Sequence, residues 1–235
     1  QQGHRNRFII SETCFPQTIA VVRGRAEPLG ITVDVADVGQ VEFDDDVFGL
    51  LVQYPNDTGG GEDLAPLIAR AHASGVLVGV CSDLLALTLL TPPGEMDVDV
   101  VVGNAQRFGV PLGYGGPHAA FFSTRHNYVR QTPGRIIGTS VDVNGAAVFR
   151  MALQTREQHI RREKATSSIC TAQALLANVS ALYAVYHGPV GLTGIAQRVH
   201  GLAVVLAEEL TRLGITQTNQ HFFDTLHLVL PEDLV

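Results

Sequence analysis

The chain has 235 residues, 46% hydrophobic and 17% charged, enough for one sizeable core or for one core with a small appendage. Sixteen basic against 23 acidic residues leave a formal charge of −7, which argues against a protein that tracks nucleic-acid phosphates. No apolar run is expected to reach the roughly 20 residues of a membrane helix. The leucine-rich stretch after Asp83 stops at Pro92-Pro93 and is too short, and no signal-peptide pattern is read. Cys14, Cys81 and Cys170 are odd in number and far apart, which suggests neither a disulfide framework nor a metal knuckle and points to a reducing compartment. Every basic residue except Lys164 is an arginine, so chemistry needing a lysine amine must use that residue or borrow one from another chain.

The first two-thirds predicts alternating strands and helices. Strands are expected at 7–11, 31–36, 48–54, 76–81, 98–103 and 119–123, most of them β-branched and nearly unbroken in apolarity, as when both sheet faces are covered. Helices are expected at 16–29, stopped by Gly30, and at 62–74, with acidic residues in the first turn and Gly75 beyond the end. This rhythm implies a mostly parallel sheet with right-handed crossovers. Between the last two strands lies a Gly/Pro-rich loop with no helix for a parallel crossover, so the strand at 119–123 is expected to run antiparallel. From about Gln154 the pattern becomes helical through Tyr186, breaks at His187-Gly188-Pro189, and resumes over 191–213. The tail 222–230 reads as a strand whose partner is not expected before the chain ends. The division expected is 1–150 for an α/β sheet domain and 151–235 for an interdomain helix with part of a small α+β domain.

Several segments admit both a ligand-binding and a plain structural reading. The glycine loop 109–116 either brings backbone close to a ligand or another chain, or simply turns the chain sharply between two strands. It is neither a phosphate-binding P-loop nor a dinucleotide fingerprint. Asn56-Asp-Thr-Gly-Gly-Gly61 reads as a plain strand-to-helix turn. Asp83 either faces a cationic nitrogen of a cofactor or caps a helix starting at Leu84, and the leucines that follow favour the cap. The segment from Gln154 to Lys164 mixes both charge signs: Glu157 and Arg161 are spaced for helix-surface pairing, yet its arginines and lysine with Thr166 and Ser167 also suit an anion. Nine histidines show no metal pattern, and only His118 lies in a loop of interest.

Four strings carry more than periodicity: Gln106-Arg-Phe-Gly-Val-Pro-Leu-Gly-Tyr-Gly-Gly-Pro-His118, Pro133-Gly-Arg-Ile-Ile-Gly138, Leu153-Gln-Thr-Arg-Glu-Gln-His-Ile-Arg-Arg-Glu-Lys-Ala165 and Ile169-Cys-Thr-Ala-Gln173. Together they resemble the glycine decarboxylase P-protein family of the glycine cleavage system. The resemblance implies a pyridoxal-phosphate-dependent transferase-like fold (fold type I, aspartate-aminotransferase-like). It also implies an oxidoreductase, glycine dehydrogenase (decarboxylating), that decarboxylates glycine on pyridoxal phosphate and passes the aminomethyl group to the lipoyl arm of H-protein. Family chains have two similar halves and form dimers, and this sequence is similar to the middle of the amino-terminal half, with the first strand and phosphate-cradle segment not included. The location implied is the cytoplasm in a bacterium or the mitochondrial matrix in a eukaryote.

In the family's carboxyl-terminal half the cofactor lysine lies in a His-Lys motif after a sheet strand, and the similar place here is Ala105-Gln106. An amide cannot condense with the cofactor's aldehyde. The resemblance therefore implies a catalytically silent half, with no catalytic residue, no metal, and the cofactor bound by the carboxyl-terminal half. Asp83 is similar to the carboxylate that pairs with the pyridine nitrogen, but the leucines at 84, 85 and 87 replace smaller residues and imply a filled pocket. What remains is a wall for the partner's site: Tyr114, Gly115, Gly116 and His118 from the loop, with Arg156, Arg161, Arg162, Lys164, Thr166 and Ser167. Two readings compete with it, a stand-alone binding module for an anionic or phosphorylated small ligand and a stand-alone lyase or transferase using Lys164.

Overall fold

Short β-branched runs alternating with helical ones assemble a six-stranded sheet in the computed structural model, which describes residues 5–153 and 171–230. The strands are β1 (Arg7–Ser11), β2 (Thr32–Ala36), β3 (Val47–Tyr54), β4 (Leu77–Asp83), β5 (Val100–Asn104) and β6 (Ala120–Thr124), in the order β2-β1-β3-β4-β5-β6. The first five are parallel and β6 is antiparallel to β5, as the helix-free connection between them requires. Helix α1 (Pro16–Ala26) is extended by a 3₁₀ turn at Glu27–Leu29 and closed by Gly30 at φ 63°. Helix α2 (Ala65–Ala73) starts three residues later than its composition suggests. Pro66 suits the first turn, where a missing N–H costs nothing, and the Asp63 carboxylate accepts the Ala65 N–H at 2.9 Å, so Glu62 and Asp63 precede the helix.

The remainder departs further from expectation. Residues 136–153, for which no element is predicted, form an antiparallel hairpin of β7 (Ile136–Val141) and β8 (Ala147–Leu153). Helix α3 (Thr171–Arg212) breaks at Gly188 (φ 61°, ψ −179°), just before Pro189, where the sequence predicts an interruption. The part of the expected helix over 154–170 lies outside the described residues. The tail does find a partner, because β10 (Leu228–Val229) pairs antiparallel with β9 (Thr216–Gln217), a strand too short to show alternation. A second correction concerns α3. It is long and apolar enough to cross a membrane by length and composition, with a window of mean hydropathy 1.4, because 171–197 contains no Asp, Glu, Lys or Arg. Protein packing accounts for part of that apolarity. Leu176 and Val179 pack on a cluster of Ala105, Val110 and Ala119, and Ile195, Ala196 and Val199 pack with Leu85, Ala86 and Phe223.

The main core is built from alternate strand residues, among them Ile9, Leu50, Val52, Val78, Val80 and Val101, covered by Ile68 and Ala71 of α2. One charged group is buried at its amino-terminal edge. Asp99, 4% exposed, accepts the Val78 N–H at 2.8 Å, faces His72 Nε2 at 2.9 Å and Arg125 Nε at 3.2 Å, and ties α2 and β6 to the start of β4. Removing it strands a buried backbone donor and leaves Arg125 with only the exposed Asp97 as a carboxylate partner. Asp99→Ala is therefore expected to lower stability in urea unfolding by about 3 kcal/mol. A loss indistinguishable from zero would show that solvent replaces the carboxylate.

Cys14, 1% exposed, sets a second test. Burial, with smaller contributions from Cys81 and Asp57, pushes its thiol from 9.0 up to about 12. Below pH 9 both states are protonated and the contribution is fully present. Between pH 9 and about 12 the unfolded chain releases the proton and the native state keeps it, so stability falls as pH rises. Cys14→Ala is expected to flatten the alkaline decline of the melting temperature over that interval; an unchanged slope would assign the decline to other groups.

Candidate functional site

Ligand sites of open parallel sheets collect at the carboxyl ends of the strands, and a cavity with polar lining lies there. Register places Gln53 beside Cys81 and Asp83 beside Asn104, so one face of β3, β4 and β5 presents all four side chains together. Phe15 and Thr18 at the start of α1 and Asp224 and Thr225 of the tail add walls to a cavity of about 420 Å³. Gln53 is 9% exposed, and its carboxamide has no hydrogen-bond partner among the described residues. Burial raises the Cys81 thiol above its ordinary range, which makes it a poor nucleophile.

Both plain structural readings at this edge hold in part. The Asn56 side-chain Oδ1 accepts from Gly60 N–H at 2.7 Å and from the Thr58 N–H and hydroxyl, an Asx-type turn. Asp83 Oδ1 accepts the Leu85 N–H at 3.0 Å, but the helix it was expected to cap is only a 3₁₀ turn at Ala86–Thr88. Its other oxygen meets a residue that sequence reasoning passed over. Arg107 Nη1 donates to Asp83 Oδ2 and Nη2 to Asp224 Oδ2, both at 2.5 Å, and the guanidinium carbon lies 5.4 Å from the centre of the Phe223 ring. Desolvation works against this charge, but the two carboxylates outweigh it and hold the arginine above its ordinary range. Arg107 stands next to Gln106 inside a recognised string, which was the available signal; Asp224, 117 residues away, offered none.

The leucines do not fill the cavity. Leu84 packs against Ala105, Val110 and Ala119, Leu85 is buried with Ala196 and Phe223, and Leu87 joins the main core. The expectation of a pocket filled by apolar bulk is corrected: the leucines serve packing behind the site, and the group that spans the cavity is a guanidinium.

Gln106, two residues past β5, is consumed by its own loop. Its N–H donates to Asn104 Oδ1 at 2.6 Å, its Nε2 donates to the Pro111 carbonyl at 2.8 Å, and its Oε1 lies 3.1 Å from His118 Nδ1. An amide whose NH₂ is given to a carbonyl offers only its oxygen to the imidazole, so His118 carries its proton on Nδ1. The glycine loop thus performs the plain task of reversing the chain. Gly109, at φ 79°, lets Tyr183 of α3 approach to where a Cβ would lie 2.8 Å from the ring. Tyr114, at φ 53° and fully exposed, projects from the loop's far side between Gly113 and Gly115. Gly116 and His118 complete the part of the proposed wall lying within the described residues, whereas Arg156, Arg161, Arg162, Lys164, Thr166 and Ser167 lie outside them. Among the described residues no group of three or more His, Cys, Asp or Glu side chains is placed to hold a metal ion.

The model of the glycine cleavage system P-protein family matches residues 1–233. Glycine dehydrogenase (decarboxylating) 2 of Pseudomonas fluorescens is 59% identical over 223 residues, 95% of this chain and 23% of that protein. The mitochondrial glycine dehydrogenase (decarboxylating) of Dictyostelium discoideum is 56% identical over 94% of this chain and 22% of its own length. The chain therefore spans less than a quarter of the curated relatives it matches. A crystal structure of glycine decarboxylase (P-protein) of the glycine cleavage system, in inhibitor-bound form, superposes with a TM-score of 0.86 at 37% identity, covering 93% of this chain and 52% of that one. An aspartate aminotransferase from Thermus thermophilus, at a TM-score of 0.62 and 16% identity, shares the fold alone. With an aspartate-aminotransferase-like sheet, a cavity at its carboxyl edge and a family match along nearly its whole length, the chain belongs to the glycine cleavage system P-protein family.

Proposed function

We propose that this chain is part of the lysine-free half of a P-protein and serves the reaction as scaffold and wall, without a catalytic residue of its own. On this reading the complete protein decarboxylates glycine on pyridoxal phosphate held by its carboxyl-terminal half. It transfers the aminomethyl group to the lipoyl arm of H-protein and works as a homodimer, in the cytoplasm of a bacterium or in the mitochondrial matrix. Residues 1–150 belong to the large domain and 151–235 to the interdomain helix and the small domain.

The observation that carries the reading is Gln106. It stands where the family's other half has its lysine, it has no amine to condense with an aldehyde, and its amide is already spent on Pro111 and His118. Pyridoxal phosphate does not fit the residues present. Asp83, the counterpart of the carboxylate that faces the ring nitrogen, is engaged by Arg107 and the Leu85 N–H, so no step of the reaction passes through the cofactor here. A wall role is supported by what the fold leaves uncovered. Tyr114, Phe149, Val185, Tyr186 and Val190 are each more than three-quarters exposed, an apolar surplus beyond what scattered surface residues account for. On the proposed reading, Arg156, Arg161, Arg162, Lys164, Thr166 and Ser167 join Tyr114, Gly115, Gly116 and His118 along the surface that faces the catalytic half. The alternative, a stand-alone module for an anionic ligand, is favoured only by the buried, unpartnered Gln53, and it must place an anion beside two carboxylates and a single guanidinium.

Borohydride reduction of the full-length holoprotein, followed by peptide mapping, tests the assignment. The pyridoxyl group is expected only outside the span of this chain. A pyridoxyl-lysine at Lys164 would overturn it and favour the reading in which that residue is the catalytic amine.

A further inference from the structure

We propose that Arg107 is a built-in counter-cation: it takes the place at Asp83 that a ligand's positive nitrogen would occupy, and through Asp224 it clasps the tail segment over the carboxyl edge of the sheet. The inference deepens the silent-half reading, and it stands on geometry within this chain.

Three features support it. The guanidinium makes one hydrogen bond to each carboxylate from separate Nη atoms, a planar two-armed arrangement that an ammonium cannot reproduce. Its partners come from opposite sides of the cavity, Asp83 from the end of β4 and Asp224 from the tail, so the contact links two parts of the chain that no strand pairing joins directly. The side chains of Asp83, Arg107 and Asp224 are 25%, 36% and 27% exposed, partly withdrawn from water yet open to a small solute. The tail has other attachments: Phe222 bridges Gly60, His200 Nδ1 lies 2.7 Å from the Phe223 carbonyl, and Phe223 is 3% exposed. Removing Arg107 is therefore expected to loosen the segment rather than unfold it, leaving two carboxylates that shared one cation without any.

The experiment uses the full-length protein. Arg107→Ala is expected to accelerate amide exchange in peptides covering 57–62 and 216–228 by about tenfold. Millimolar methylguanidinium should reverse most of that acceleration and raise the melting temperature of the variant but not of the wild type, because only the variant has an open place for a planar cation. Methylammonium and sodium chloride at equal concentration should do neither, and Arg107→Lys should restore little. Asp224→Asn provides a second route should the alanine variant fail to accumulate: it breaks the same clasp and is expected to speed exchange in the same peptides. Unchanged exchange in Arg107→Ala or in Asp224→Asn, or a recovery that methylammonium matches, overturns the proposal. Glycine turnover is not the readout, so a failure here is distinguishable from a pyridoxyl group found on Lys164.

Discussion

The strand pair β5 and β6 must be joined without a helix, and the polar groups released by that reversal have to be satisfied within a dozen or so residues. Backbone pairs such as Ala105 N–H to the Ala119 carbonyl and Val110 N–H to the Gln106 carbonyl do part of this, and Gln106 adds to them. It answers Asn104 with its backbone, Pro111 with its NH₂ and His118 with its carbonyl, so both ends of the glycine loop are fastened to one side chain. A lysine at this position has three donors and no acceptor, and could not hold the imidazole in the same way. The glutamine is thus more than a missing amine. It converts a position lining the cavity into part of the loop's internal hydrogen bonding and braces the reversal that leads into β6.

Arg107, the next residue, lines the same cavity and settles its electrostatics. A carboxylate such as Asp83 at the carboxyl end of a parallel strand needs either water or a cation, and here its two oxygens are shared between a backbone N–H and a guanidinium. Asp224 joins the same guanidinium, leaving the trio one negative charge in excess. That balance disfavours an incoming phosphate. It agrees with a half that, on the proposed reading, contributes surface rather than cofactor binding.

How much of this was legible in the sequence depended on the range of the interaction. The six sheet strands were readable because most are short, β-branched and nearly unbroken in apolarity, and the antiparallel turn of β6 followed from the absence of a crossover helix. The break at Gly188-Pro189 was readable for the same local reason. The hairpin β7–β8 was missed although Asp142-Val-Asn-Gly145 is a turn signal: Asp142 accepts the N–H groups of Asn144 and Ala146, bonds that hold its carboxyl below the ordinary range. β8 is exposed at every residue but Leu153, and in β7 the half-buried positions are Ile136, Gly138 and Ser140 while Ile137 and Val141 are exposed, so apolarity in the sequence does not follow the faces of the hairpin. The leucines after Asp83 were misread as pocket filling because composition does not reveal which way a residue packs when the chain turns through a 3₁₀ segment. Arg107 with Asp224 was out of reach altogether, since the pairing exists only once the tail folds back over the sheet.

The long helix α3 shows why composition alone is an uncertain guide to environment. Its uncharged stretch passes a membrane criterion, yet the kink at Gly188 divides it into two pieces with different buried faces, one seated on the glycine loop through Leu176 and Val179 and one on the Leu85 cluster through Ile195 and Val199. Each piece thus buries part of its apolar surface on this chain's own sheet and loops, which gives that surface a role within the fold. Among the apolar residues left uncovered, Leu182, Val185, Tyr186 and Val190 lie on either side of the kink. Their exposure of 66–86% is hard to reconcile with a surface meant for water alone. On the proposed reading this chain is less than a quarter of its protein, and that strip is where the remaining polypeptide has apolar area to cover.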